Sequence, residues 1–314
     1  MSQTRKQIEA ALTEAGSHPR KQFGQNFMVD QNLVRLVAQA GELSRDDVVI
    51  EVGPGTGTLT EELLELAGRV IAVEIDRDLA SMLRKKFSDR TNFELIEGDA
   101  LDGKHAINPK LIELLGATVG TPPVPLVPIV RDSETHARTE YRPWHPDLRF
   151  KLVANLPYNI ASPLVIELLT IGCELLAFTV QKEVGERLKS QPNTDGYGPL
   201  SVMAQLLGSV EVLRTLPPSA FWPPPKIDSA LVRIRAHKEI PLSRNQVASF
   251  SQFIHRLFSY RRKTLRRALI ESDINADIVL EKTKLDPSCR SETLTLDQLL
   301  ALFANSTTTP TADR

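Results

Sequence analysis

With 314 residues, 41% hydrophobic, 25% charged and a net charge of -1, the chain has an ordinary globular composition and room for one large domain plus a small one. Near-neutrality excludes an overall basic field, so any nucleic-acid partner must meet a local patch. Two cysteines, Cys173 and Cys289, fall in no C-x-x-C pattern and the six histidines show no ligand spacing, which argues against disulfides and metal and fits a reducing cytoplasm.

The opening stretch MSQTRKQIEAALTEAG lacks a signal-peptide apolar core and reads as an amphipathic helix with Ile8, Leu12 and Ala15 on one face. No run approaches the roughly 18 apolar residues of a membrane span, so no membrane association is expected. Strands are predicted at 47–53, 69–76, 92–99, 150–156, 175–181, 210–216 and 229–236. Helical spacing lies between the first two (Leu59, Leu63, Leu64, Ala67) and in SPLVIELLTIG between the fourth and fifth. Near-continuous apolar strands alternating with helices predict a mostly parallel seven-stranded α/β sheet, covered on both faces. The last two strands, joined by a short Pro-rich connection, suit an antiparallel edge pair.

Two regions break this rhythm. Residues 103–149 form an insertion with a helix near Pro109–Leu115. Residues 241–305 read as a small all-α domain after a catalytic domain of 1–240, and 306–314 as a disordered polar tail. In the helical part, seven basic residues and no acidic one lie between Ile240 and Ile270, and the helix is expected to break near Ser259-Tyr260. Arg261, Arg262, Lys263, Arg266 and Arg267, with Lys21 from the N-terminal region, are candidate phosphate contacts.

The first strand ends in Glu51-Val52-Gly53-Pro54-Gly55-Thr56-Gly57. Glycines at a strand-to-helix turn admit φ > 0 and close approach of a ligand. Thr58 stands where a dinucleotide fingerprint wants Gly or Ala, so the turn suits a nucleoside ligand better than a pyrophosphate. Glu74, ending the second strand, can accept from ribose hydroxyls, and Asp99, after the third, from an adenine amine. The fourth strand runs into Asn155-Leu156-Pro157-Tyr158. Pro157 forces Leu156 extended, so the Leu156 carbonyl and the Asn155 side-chain oxygen form a pair of acceptors for an amino group. Tyr158 offers a stacking face for a base. Holding an adenine amine this way favours its tetrahedral form and frees the lone pair for an in-line electrophile such as a sulfonium methyl.

V-I-E-V-G-P-G-T-G, V-E-I-D, E-G-D-A-L and N-L-P-Y in this order resemble the ribosomal RNA adenine dimethyltransferases. KQFGQNFMVD (21–30), PPSAFWPPPKIDSALVRI (217–234) and FSYRRKTLRRAL (258–269) extend the resemblance, the last toward the small-subunit branch. It implies a class I, Rossmann-like fold, S-adenosylmethionine as methyl donor without a metal, and N6-dimethylation of adjacent adenines near the 3′ end of 16S ribosomal RNA. The implied partner is that RNA in the small subunit or its precursor, met by a cytoplasmic monomer. By the same resemblance Asn26, Met28, Gly53, Gly55, Glu74, Asp99, Ala100 and Asn155 would hold the cofactor. Asn155, Leu156, Pro157 and Tyr158 would serve the target base, with Phe221 covering its other face. Met28 stands where the family usually has Leu, and the insertion is a departure. The alternatives are a large-subunit adenine methyltransferase conferring antibiotic resistance, a non-catalytic ribosome-assembly factor that binds RNA, and a small-molecule amine methyltransferase.

Overall fold

The computed structural model describes residues 3–20, 23–103, 106–118 and 150–306. Most of the insertion, the polar tail from 307 onward and Lys21 therefore lie outside the described residues.

In chain order the elements are α1 (Arg5–Glu14), β1 (Phe27–Met28), α2 (Gln31–Ala40), β2 (Val48–Val52), α3 (Thr58–Leu66), β3 (Arg69–Glu74), α4 (Arg77–Lys86) and β4 (Phe93–Glu97). Then follow α5 (Pro109–Thr118), β5 (Phe150–Asn155), α6 (Ala161–Thr170), β6 (Leu175–Gln181), α7 (Lys182–Lys189), α8 (Pro199–Leu207), β7 (Gly208–Leu216), β8 (Phe221–Trp222) and β9 (Ser229–Ala236). The chain continues through α9 (Arg244–Ser259), α10 (Leu265–Glu271), α11 (Ala276–Thr283) and α12 (Leu296–Ser306).

Seven strands form one sheet in the order β4-β3-β2-β5-β6-β9-β7. The first five in that order run parallel and β9 is antiparallel to β6. Each predicted strand is present within two residues of its expected ends. All five residues of β2 are buried, which is why the central strand reads as an apolar run, broken only by Glu51, rather than an alternation. Strand order reverses between β2 and β5, and such a switch point opens a crevice at the carboxyl ends of the strands. Helices begin on side-chain caps there: Asp30 accepts from the backbone N–H of Asn32 and Leu33 at the start of α2, and Asp76 from Asp78 at the start of α4.

A second, two-stranded ribbon pairs β1 with β8, setting Phe27 against Trp222 and Met28 against Phe221. Two-residue strands carry no readable period, so only the fold reveals it. In α1, Ile8 and Leu12 are buried with Phe27 and Leu79, while Ala15 follows the helix as its cap and is half-buried.

The chain divides into two compact units. The first holds the sheet and comprises residues up to Lys182 together with Glu211–Ala236. The second takes Glu183–Val210 and the chain from His237. The expected boundary near 240 therefore differs from this division: α8, though it lies between two strands in sequence, packs on α9 and α12. Within the helical unit the Phe250 and Phe303 rings meet edge to face at 5.3 Å, and the Tyr197 hydroxyl donates to the Leu294 carbonyl at 3.0 Å. α9 stops at Ser259, where the charge pattern requires a break, and α12 ends at Ser306, the first residue of the expected tail.

Candidate functional site

The crevice at the β2/β5 reversal is lined by the N-terminal segment from Phe23 to Met28, the turn from Gly53 to Thr56, Glu74, Asp99, Ala100, Asn155 and Pro157. Every residue expected to hold the cofactor lies on it: Asn26, Met28, Gly53, Gly55, Glu74, Asp99, Ala100 and Asn155.

The turn after β2 takes positive φ at Gly53 (72°) and Gly55 (60°). A Cβ on Gly55 would sit 2.8 Å from the Phe27 ring, so glycine lets β1 close over the turn. Glu74 is 3% exposed, and both of its oxygens are held by backbone donors: Gly55 N–H at 3.1 Å and Asp76 N–H at 2.9 Å. Burial pushes its carboxyl up to about 7, against the pull of those two donors. Deeper still, Glu51 is 1% exposed and accepts from the Thr60 hydroxyl at 2.7 Å. Burial, opposed by the Thr60 bond and reinforced by nearby Glu74, pushes it up to about 8. Glu51 belongs to no motif role, and its signal in the sequence is an acid inside an otherwise apolar central strand.

Asp76 seats the N-terminal segment. Its buried carboxylate receives Arg20 at 3.1 Å and Gln25 Nε2 at 3.1 Å, while its backbone N–H goes to Glu74. Gln25 of the Q-N-F motif thus anchors β1 to the strand end that carries Glu74. Sequence spacing does not reveal that contact across more than fifty residues. Asp99 is exposed; one oxygen accepts from Leu101 N–H at 3.0 Å, and the other has no hydrogen bond among the described residues.

Asn155 ends β5 half-buried. Its Nδ2 donates to the Asn26 carbonyl at 2.6 Å, and its Oδ1 accepts from the Thr179 hydroxyl. One lone pair of that oxygen is therefore engaged by the protein and one remains. Pro157 lines the cleft, and its ring lies 3.4 Å from where a Cβ on Gly53 would stand. The structure does not set the rest of the target group on the cleft wall. Leu156 is 2% exposed, so its side chain belongs to the core. Tyr158 is half-buried with its hydroxyl 2.7 Å from Ser229 Oγ, and burial raises its pKa. Phe221 is 2% exposed and packs in the cluster of Met28, Leu216, Ala220 and Leu231. The ring expected to cover the base's other face is thus part of the core and does not line the crevice.

Arg261, Arg262, Lys263, Arg266 and Arg267 fall in the helical unit and are exposed. Three of them meet acids from outside the acid-free stretch: Arg261 with Glu292 at 3.4 Å, Arg266 with Asp277 at 2.6 Å, and Arg267 with Glu271. Arg262 and Lys263 have no ion pair among the described residues. Also among the described residues, no cluster of three potential ligands fits a metal and no helix is long and apolar enough to cross a membrane.

The crevice fits S-adenosylmethionine by the chemistry of its acceptors: Glu74 could accept from ribose hydroxyls and Asp99 from an adenine amine, beside a glycine turn that would leave backbone close to the ligand. The family profile described as ribosomal RNA adenine dimethylase matches residues 16–307. Proteins named ribosomal RNA small subunit methyltransferase A from Hahella chejuensis and Moorella thermoacetica are 37% and 34% identical to this chain. Those similarities cover 91% and 93% of this chain and 92% and 94% of the relatives. A solved dimethyladenosine transferase from Plasmodium falciparum aligns with a TM-score of 0.62 at 22% identity, over 88% of this chain and 95% of that one. The 23S rRNA methyltransferase ErmE aligns at 0.58 and 24%, over 90% of this chain and 100% of that one. At such identities the two structures establish the shared class I methyltransferase fold alone.

Proposed function

This chain belongs to the ribosomal RNA adenine dimethylase family, and from that membership we propose that it dimethylates N6 of adjacent adenines near the 3′ end of 16S ribosomal RNA. It acts as a monomer in the cytoplasm, on the small subunit or its precursor. The observation that carries the reading is the crevice itself, where the glycine turn, Glu74, Asp99 and Asn155 converge from four strand ends.

When bound there, S-adenosylmethionine would supply an electrophilic methyl carbon with a thioether as its leaving group. Glu74 would accept from the ribose hydroxyls, Asp99 from the adenine amine, and the Gly53–Gly57 turn would carry the ligand's body. On the target side, Asn155 Oδ1 and the Leu156 carbonyl accept the two N–H groups of the adenine amine. That geometry concentrates the nitrogen lone pair on the attacking side. As the N–C bond forms, the surplus proton stays hydrogen-bonded at those oxygens until water takes it. The base must leave its stack to reach them, and the Tyr158 ring, tethered by Ser229, receives it. Once one methyl is on, a single N–H remains and the amine turns to present its lone pair again. Phosphate contacts fall to the exposed basic residues after α9.

The test uses purified protein, labelled S-adenosylmethionine and small subunits lacking the modification, with large subunits in parallel. Dimethyladenosine near the 3′ end of the small-subunit RNA is expected. Label on the large-subunit RNA instead, on a small amine without RNA, or nowhere, would refute the proposal. Asn155→Ala should lower kcat by about 100-fold or more while RNA affinity stays within about twofold. Undiminished activity in that variant would remove Asn155 from the mechanism.

A further inference from the structure

Thr179 interrupts an apolar stripe. Leu175, Ala177 and Thr179 alternate on one face of β6, all buried, and the first two belong to the core beneath α2. A hydroxyl with no exposure must find a hydrogen-bond partner. Thr179 finds Asn155 Oδ1, on the residue directly beside it across the β5–β6 ladder. The other end of the same carboxamide donates to the Asn26 carbonyl at 2.6 Å. That carbonyl can only accept, so the nitrogen faces Asn26 and the oxygen faces Thr179. Flipping the amide would set carbonyl against carbonyl.

We propose that Thr179 is a positioning residue for methyl transfer. Its hydroxyl locks the Asn155 carboxamide in one orientation and occupies one lone pair of Oδ1, so that the other faces the amino N–H of the target base. The inference rests on the adenine-methylating reading of the crevice. With Asn26 and Thr179 at its two ends, the amide cannot swing about its last torsion. The acceptor that serves the amine in the first transfer therefore stands in the same place for the second. This matters more the second time, because the monomethylated amine has one N–H left and relies on a single well-placed oxygen. Each transfer forms one N–C bond, breaks one S–C bond and releases one proton from the amine to water.

Two substitutions separate the hydroxyl from the packing. Thr179→Val keeps the shape and removes the donor; Thr179→Ser keeps the donor and removes a methyl. With unmodified small subunits as substrate, Thr179→Val is expected to lower kcat by about tenfold with KM for both substrates within about twofold, and to raise the share of monomethyladenosine in the product. Thr179→Ser should restore kcat to within about threefold of the unsubstituted protein, which a packing role would not produce. A second readout needs no turnover. In protein labelled with nitrogen-15 asparagine, the side-chain amide signals lost in Asn155→Ala should shift in Thr179→Val and stay in place in Thr179→Ser. A Thr179→Val enzyme within twofold of normal kcat, equal losses in both variants, or unmoved amide signals would overturn the proposal. Should the unsubstituted protein methylate no ribosomal RNA, the functional reading fails, and the amide signals alone still decide whether Thr179 pins Asn155.

Discussion

Glu51 shows how burial turns an acid into a pH sensor of stability. Its carboxyl is pushed from an ordinary value of 4.5 to about 8 in the folded protein, chiefly by burial. The folded state therefore keeps a proton that the unfolded chain releases from about pH 4.5 upward. Its contribution to stability is therefore most favourable below pH 4.5, declines as pH rises toward 8, and is flat above. Glu74, raised to about 7, adds a decline over the lower part of that window. Glu51→Gln keeps an acceptor for Thr60 and cannot ionise. Its melting temperature relative to the unsubstituted protein is expected to improve from pH 5 to pH 8.5, by the equivalent of a few kcal/mol on the order-of-magnitude scale of ~1.4 per pH unit. Parallel melting curves at the two pH values would show that Glu51 ionises without cost. For Glu74 the same burial has a functional side. Glu74→Gln leaves one acceptor in place of two, and S-adenosylmethionine binding measured by calorimetry should weaken by about tenfold.

Helices α9 and α10 illustrate how charge read along the chain differs from charge in space. The stretch from 240 to 270 contains no acid, yet Glu271, Asp277 and Glu292 come from its end, from α11 and from the turn before α12 to pair with Arg267, Arg266 and Arg261. Exposed pairs of this kind contribute little stability, but they reduce the charge offered to a phosphate. Arg262 and Lys263, in the turn between the two helices, have no such partner among the described residues. Charge reversal at both is expected to weaken binding to small-subunit RNA by about tenfold or more at low salt and to flatten the salt dependence by one to two units of slope. Reversal at Arg266 and Arg267 should do less, and an equal loss at both pairs of positions would mean that the ion pairs do not matter to the interface. At the sheet, the β1–β8 ribbon has a comparable lesson: it is built from two dipeptides almost two hundred residues apart, so no local pattern announces it.

For the molecule as a whole, the crevice belongs entirely to the sheet-containing unit. A ligand that binds only the folded form stabilises what it touches, by about 2.7 kcal/mol at a hundred times its Kd. Saturating S-adenosylmethionine should therefore slow hydrogen exchange at 26–28, 53–57, 74–76 and 98–101 and leave α9 through α12 unchanged. Protection spread evenly over both units, or absent from these turns, would contradict the placement of the cofactor.

The seven strands, the glycine turn, Glu74, Asp99 and the N-L-P-Y segment were legible in the chain alone, because each depends on a local rule: apolar runs for buried parallel strands, glycine for positive φ, proline for a forced extended residue. These rules also place the acids at strand ends, and strand ends in such a sheet share one edge. What needed three dimensions were contacts between residues far apart in sequence, whose side chains choose partners only after the sheet closes. Gln25 on Asp76, Thr179 on Asn155, Ser229 on Tyr158, Phe221 turned into the core, and α8 drawn to the helical unit are all of this kind. Hydrogen bonding and packing are decided by distance in space, and periodicity reports only distance along the chain.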